Sequence, residues 1–180
     1  MELSIKQEEL KKHTDVVTGL SWSDTGELLT VSDDKTIRVW NTDGEPQAKL
    51  TDVPCYCTGL LWHPSATAKA QTDVFVVGCT DGSFKLISRT GRIEKSEANA
   101  HQGAVTVVRW SHDGTSLATA GEDGLIKSWS RTGMFRANLA QSEGTVHDMC
   151  WSPDAEQLLF TCDKHLVVRP LQPSSKQTKW

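Results

Sequence analysis

The sequence predicts an all-β protein made of about four copies of one unit, and three observations predict it. Trp22, Trp62, Trp110 and Trp151 each close a short apolar run, and they stand 40, 48 and 41 residues apart. Each interval holds further strand-length runs with period-two alternation, separated by turn residues. No stretch of about ten residues has the 3.6-residue periodicity of a helix.

The elements repeat in a fixed order. The first runs are VVTGLSW, CTGLLW, VTVVRW and VHDMCW. Three are followed by turns of one style, SDTG, SHDG and SPDA, whereas Trp62 is followed by HPSATAKAQTD. Second runs come next: ELLTVS, DVFVVGC, SLATAG and QLLFTC. After the tight turns DDKT, TDGS and EDGL come third runs, TIRVW, SFKLI, LIKSW and HLVVRPL. Turns ending at Gly44, Gly91 and Gly133 then lead into a more polar fourth run. Asp-Gly and Gly-rich pairs between alternating runs are hairpin signals, because the tight turns need positive φ. Four strands per unit make a meander. The predicted units are 13–51, 52–100, 101–141 and 142–180, with 1–12 as the outer strand of a closing blade.

Composition narrows the class. Hydrophobic residues at 37% and charged residues at 23% describe a globular chain, and the net charge is −4. No Lys/Arg block offers the clustered positive surface that nucleic-acid binding needs. No segment approaches membrane-spanning length, so no membrane insertion is expected. The five cysteines include no C-x-x-C pair. Cys55 and Cys57, two apart on one strand face, read as small buried thiols in preference to a metal or redox pair. No cofactor, metal or small-molecule substrate is expected, and the chain reads as cytosolic.

Units of about 40 to 45 residues with four strands, a His near the start and a Trp at the end resemble WD40 repeats. The closest stretches are HTDVVTGLSWSDTGELLTVSDDKTIRVWN and HQGAVTVVRWSHDGTSLATAGEDGLIKSW. The resemblance implies a β-propeller, with this chain supplying about four blades of an incomplete, larger ring; the sequence stops where a fifth unit begins. A seven-bladed ring needs about 300 residues. Such a part of a ring is expected to expose two apolar blade faces.

The WD40 pattern also implies buried tetrads in which His, Thr, Asp and Trp hydrogen-bond in series. They map onto His13, Thr30, Asp34 and Trp40 in the first unit, and His101, Thr119, Asp123 and Trp129 in the third. A Thr/His/Asp set can also be read as nucleophile, base and orienting carboxylate. The repetition with a Trp attached, the use of Thr, and the lack of a Gly-x-Ser-x-Gly elbow favour the structural reading. The second unit keeps Asp81 but has Val77 and Ile87 where Thr and Trp belong, and the fourth unit lacks the Trp. His147 and His165 read as ordinary surface or half-buried residues. The interval from Trp62 to Asp81 is 19 residues, against 12 and 13 in the first and third units. Its extra length, around Ser65, Lys69, Gln71 and Thr72, is a candidate docking element or a tolerated insertion.

The runs DGSFKLISRTGRIEKS, GEDGLIKSWSRTGMFRANLAQ and VVRPLQP are similar to those of ciliary intraflagellar transport propellers. The resemblance implies a non-enzymatic scaffold subunit of the intraflagellar transport B complex, partnered by other subunits of that complex and acting in cilium assembly. It implies a place at the cilium and its base. The alternatives are a WD40 adaptor of another complex, such as a coat or a ubiquitin-ligase receptor, and more distantly a hydrolase.

Overall fold

The structure, a computed structural model, describes residues 12–64, 74–171 and 178–179. They form four antiparallel sheets, each of four strands in chain order. The first is β1 (Val17–Trp22), β2 (Leu28–Ser32), β3 (Thr36–Trp40) and β4 (Pro46–Asp52); the second is β5 (Cys57–Trp62), β6 (Val74–Cys79), β7 (Phe84–Ser88) and β8 (Ile93–Glu97). The third is β9 (Val105–Trp110), β10 (Ser116–Gly121), β11 (Leu125–Ser130) and β12 (Phe135–Gln141). The fourth is β13 (Val146–Trp151), β14 (Gln157–Cys162), β15 (His165–Pro170) and β16 (Thr178–Lys179). No described residue is helical. The all-β meander read from the sequence is the fold.

Strand alternation explains how the sheets stack. In the second sheet Phe75, Val77 and Ile87 face one neighbour, while Val76, Phe84 and Leu86 face the other. The first set shares a core with Leu29, Val31 and Ile37 of the first sheet. The second set shares one with Val108, Trp110 and Leu117 of the third. A third core joins Ala118, Ala120 and Ile126 to Met149, Leu158 and Phe160 of the fourth sheet. A sheet that is apolar on both faces is stable only when sandwiched.

The inner strands β1, β5, β9 and β13 lie side by side along one edge of the stack. Small residues let them approach: a Cβ on Gly19 would stand 2.8 Å from Gly59 Cα. Hydroxyls then stitch the strands together. Thr58 Oγ1 donates to the Val105 carbonyl and Thr106 Oγ1 to the Val146 carbonyl, both at 2.6 Å. The residues of these strands line a groove of about 310 Å³ that includes Arg109, His147 and Asp148.

The tryptophans that close the inner strands report what covers each blade. Trp62, Trp110 and Trp151 are buried, but Trp22 is 51% exposed, and Leu20 on the same strand is 64% exposed. Among the described residues no sheet packs on that face of the first blade.

Each link to the next inner strand is pinned by one backbone bond. The amides of Val53, His101 and Ser142 donate to the carbonyls of Lys35, Gly82 and Gly124, at 2.8, 3.0 and 2.9 Å. Those three acceptors all have positive φ, +61°, +80° and +72°, which only the glycines adopt without strain. A Cβ on Gly82 would also stand 2.3 Å from the His101 carbonyl oxygen. Gly82→Ala is therefore expected to cost about 2–4 kcal/mol, from the left-handed backbone and the clash together. Denaturant unfolding checks this: the midpoint falls with an unchanged slope.

Candidate functional site

The polar residues singled out in the sequence come together in two places. In the first sheet, His13 is delivered by the lead into β1, Thr30 by β2, Asp34 by the β2–β3 turn and Trp40 by β3. His13 Nδ1 lies 2.9 Å from Asp34 Oδ2, and His13 Nε2 lies 2.7 Å from Thr30 Oγ1. Trp40 Nε1 donates to the same hydroxyl at 2.7 Å. The third sheet repeats this. His101 Nδ1 is 2.9 Å from Asp123 Oδ1, His101 Nε2 is 2.8 Å from Thr119 Oγ1, and Trp129 Nε1 donates to Thr119 Oγ1 at 2.8 Å.

Donor logic sets the direction of each chain. Indole N–H is donor-only and ionised carboxylate is acceptor-only. Trp donates to Thr, Thr to the imidazole Nε2, and the imidazole Nδ1–H to Asp, which leaves the histidine neutral. The carboxylates take further bonds from the backbone: Asp34 from Thr14 and Thr36, and Asp123 from Gln102 and Leu125. Thr119 is fully buried, and its oxygen already accepts the indole proton. The Thr119 hydroxyl therefore has its proton and one lone pair engaged in a position with no solvent exposure.

Strand register shows what fills the same positions elsewhere. Leu28, Phe75, Leu117 and Leu158 are equivalent, since each pairs with the Trp that closes its own inner strand. Val77 and Phe160 therefore stand where Thr30 and Thr119 do. Ile87 and Arg169 stand where Trp40 and Trp129 do. Val53 and Ser142 take the place of His101, since all three make the same pinning amide bond. The second blade thus replaces the chain with Val53, Val77 and Ile87, all buried. Asp81 keeps only a turn role among the hydrogen bonds seen, with its Oδ1 accepting from Ser83 N at 3.0 Å. The sequence reading missed Val53 and Ser142. The common offset of four residues before the first strand, seen from His13 to Val17 and from Val53 to Cys57, would have revealed Val53.

His147 is exposed on β13 and His165 is half-buried. Ser65, Lys69, Gln71 and Thr72 lie outside the described residues, as does the segment 1–11. Among the described residues, the one group of side chains with metal-ligand proximity is Cys55, Cys57 and Cys79, whose sulfurs all lie within 4.8 Å of one another.

Comparison with known proteins follows these contours. The WD domain, G-beta repeat family matches residues 5–41 and 94–130, the stretches that contain the two His–Thr–Asp–Trp chains. The chain is a WD40-repeat protein, and its four sheets are blades of an incomplete propeller. It resembles intraflagellar transport protein 80: it is 40% identical over its whole length to the intraflagellar transport protein 80 homologs of Mus musculus and Rattus norvegicus. A more distant relative, WD repeat-containing protein 90 of Xenopus tropicalis, is 29% identical over 67% of the chain and 6% of its own length. The chain spans 24% of the length of the two transport proteins.

Burial sets the ionisation of the third blade. Desolvation pushes His101 below the ordinary histidine value, and the pull of Asp123 in the other direction does not offset it. Burial pushes Asp123 upward, but bonds from the Gln102 amide, His101 and the Leu125 amide outweigh it and hold the carboxyl low. Asp34 is held low in the same way, burial being outweighed by Thr36, the Thr14 amide and His13. In every case the unfolded chain binds more protons as the pH falls, so acid destabilises the fold. The His101 contribution is lost as pH falls below about 6.5, and those of the carboxylates below about 4. Thermal midpoints are expected to hold near pH 7 and to decline from about 6.5. His101→Gln is expected to lower the midpoint throughout but to flatten the decline that sets in below about pH 6.5.

Proposed function

We propose that the chain is a non-catalytic scaffold subunit of the intraflagellar transport B complex, acting in intraciliary transport and cilium assembly. The observation that carries this reading is the 40% identity along the whole chain to proteins named intraflagellar transport protein 80 homolog. A stack of sheets with its loops at the rims is suited to presenting surfaces to other proteins. The partners are other subunits of that complex, and the place of action is the cilium and its base. Affinity capture of the tagged protein from ciliated cells tests the assignment. Recovery of intraflagellar transport B subunits is expected; recovery of coat or ubiquitin-ligase components in their place would overturn it.

The two polar chains serve the fold, each holding three strands of its blade in register. Thr30→Val strands the indole N–H and an imidazole nitrogen, and His101→Ala strands the Thr119 hydroxyl proton and removes one of the bonds to Asp123. Each is expected to lower stability by about 1–3 kcal/mol, the cost of an unpaired buried polar group. Equilibrium denaturation reads the loss. A hydrolytic activity that vanished in both variants at unchanged stability would establish catalysis instead.

A further inference from the structure

The second blade carries a cluster that the scaffold role does not use. Cys55 Sγ and Cys79 Sγ lie 2.7 Å apart, closer than two unbonded sulfurs normally rest, and Cys57 Sγ completes the trio. Lys85 enters from β7, where alternation alone would point a lysine to solvent. It is buried, because both faces of this blade are covered. Its Nζ donates to Ser83 Oγ at 2.9 Å and reaches Cys55 Sγ at 3.5 Å and Cys79 Sγ at 3.8 Å. A buried ammonium needs an anion beside it. The groups within its hydrogen-bond reach are one hydroxyl and two sulfurs, so a thiolate is the anion that can meet it at contact, while the Asp81 carboxylate acts on it from farther away.

We propose that Cys55 and Cys79 form an oxidation site, in which the Cys55 thiolate reacts with a hydroperoxide and Cys79 closes a reversible disulfide. Cys55 is the nucleophile because it is 8% exposed, against 2% for Cys57 and none for Cys79. It also sits between exposed Pro54 and Tyr56 on the link into β5. The ionisation pattern agrees. Hydrogen bonding with the Cys57 and Cys79 side chains, together with the Lys85 ammonium, holds Cys55 far below an ordinary thiol. Cys79 is pushed up to about 11, chiefly by its bond to Cys55.

The chemistry balances. The Cys55 sulfur attacks one oxygen of hydrogen peroxide, an S–O bond forms, the O–O bond breaks, and hydroxide leaves to take up a proton as water. The Cys79 sulfur then attacks the Cys55 sulfur. An S–S bond forms as the S–O bond breaks, and the second hydroxide leaves with the Cys79 proton. Two thiols and one peroxide give one disulfide and two waters. Lys85 favours the reduced state, since oxidation removes its anion, and this keeps the bridge reducible by ordinary thiols. The same ammonium argues against a metal ion among the three sulfurs, because a cation there would face Lys85 across two of its ligands.

The reduced chain, freed of reductant and treated with hydrogen peroxide, tests this by intact and peptide mass spectrometry. The expected result is a loss of two hydrogens, restored by dithiothreitol, with a peptide linking Cys55 to Cys79. Exposed Cys150 should remain open to alkylation. Cys57→Ser is expected to keep the bridge and Cys55→Ser to lose it. Lys85→Met is expected to slow oxidation roughly tenfold, with Lys85→Arg restoring much of the rate. Three overturning results need no variant: a bridge through Cys57 instead of Cys55, no change in mass while all thiols remain countable in the folded protein, or a stoichiometric bound zinc.

Discussion

The structure depends on one constraint: its second and third sheets are apolar on both faces, so each needs a neighbour on each side. Phe75, Val77 and Ile87 need the first blade as much as Val76, Phe84 and Leu86 need the third. The hydrophobic cores accordingly lie between blades and not within them, and burial is shared across each junction. The constraint also explains where apolar surface is left. Leu20 and Trp22 belong to the face of the first blade on which no described sheet packs. Close approach of the inner strands follows from the same stacking, and it is what requires glycine at Gly19 and places Thr58 and Thr106 against the next strand's carbonyls.

Within that frame the first three blades show two fillings of the interior. One is the polar chain of His, Thr, Asp and Trp, in which every donor meets an acceptor. The other is the apolar set Val53, Val77 and Ile87. Neither leaves a stranded group, so both are compatible with burial, while the fourth blade, with Ser142, Phe160 and Arg169, follows neither. The second blade accordingly differs from the first and third at three positions and shares Asp81, whose turn bond to Ser83 is independent of the chain. A blade that retained His opposite Val77 would hold an imidazole nitrogen with no hydroxyl to meet it.

The fold was legible because its signals are local and repeated. Trp spacing, Asp-Gly turns and period-two runs each recur four times or nearly so, and they specify strands and hairpins directly. The polar chains were legible for the same reason, since His-to-Asp intervals of 21 and 22 residues recur with a Thr and a Trp at fixed offsets. Val53 was hidden because the longer segment after Trp62 stretches its interval to Asp81 to 28 residues. Lys85 was hidden for a different reason. Alternation assigns it to a face, but only the stacking shows that this face is covered. The meeting of Cys55 with Cys79, 24 residues away, likewise depends on which sheet edge the link into β5 crosses. Reading Cys55 and Cys57 as small buried thiols followed from their own spacing, and both are buried, but that spacing says nothing of the lysine.

The position of the thiols in the second blade is consistent with these rules. In the third blade a Cβ on Gly121, the register equivalent of Cys79, would stand 2.7 Å from the His101 ring, so a side chain there competes with the histidine. The smaller Val53 relaxes that competition, and the space beside the end of β6 can hold Cys79, Cys55 and the Lys85 amine. The first blade shows the limit of the effect, since it accommodates His13 together with the small Ser32. The loss of the histidine therefore permits the cluster and does not compel it. What favours an ion pair there is Lys85 itself: once an ammonium is buried between two blades, the blade must supply an anion, and beside the more distant Asp81 carboxylate the sulfurs are the groups in contact with it.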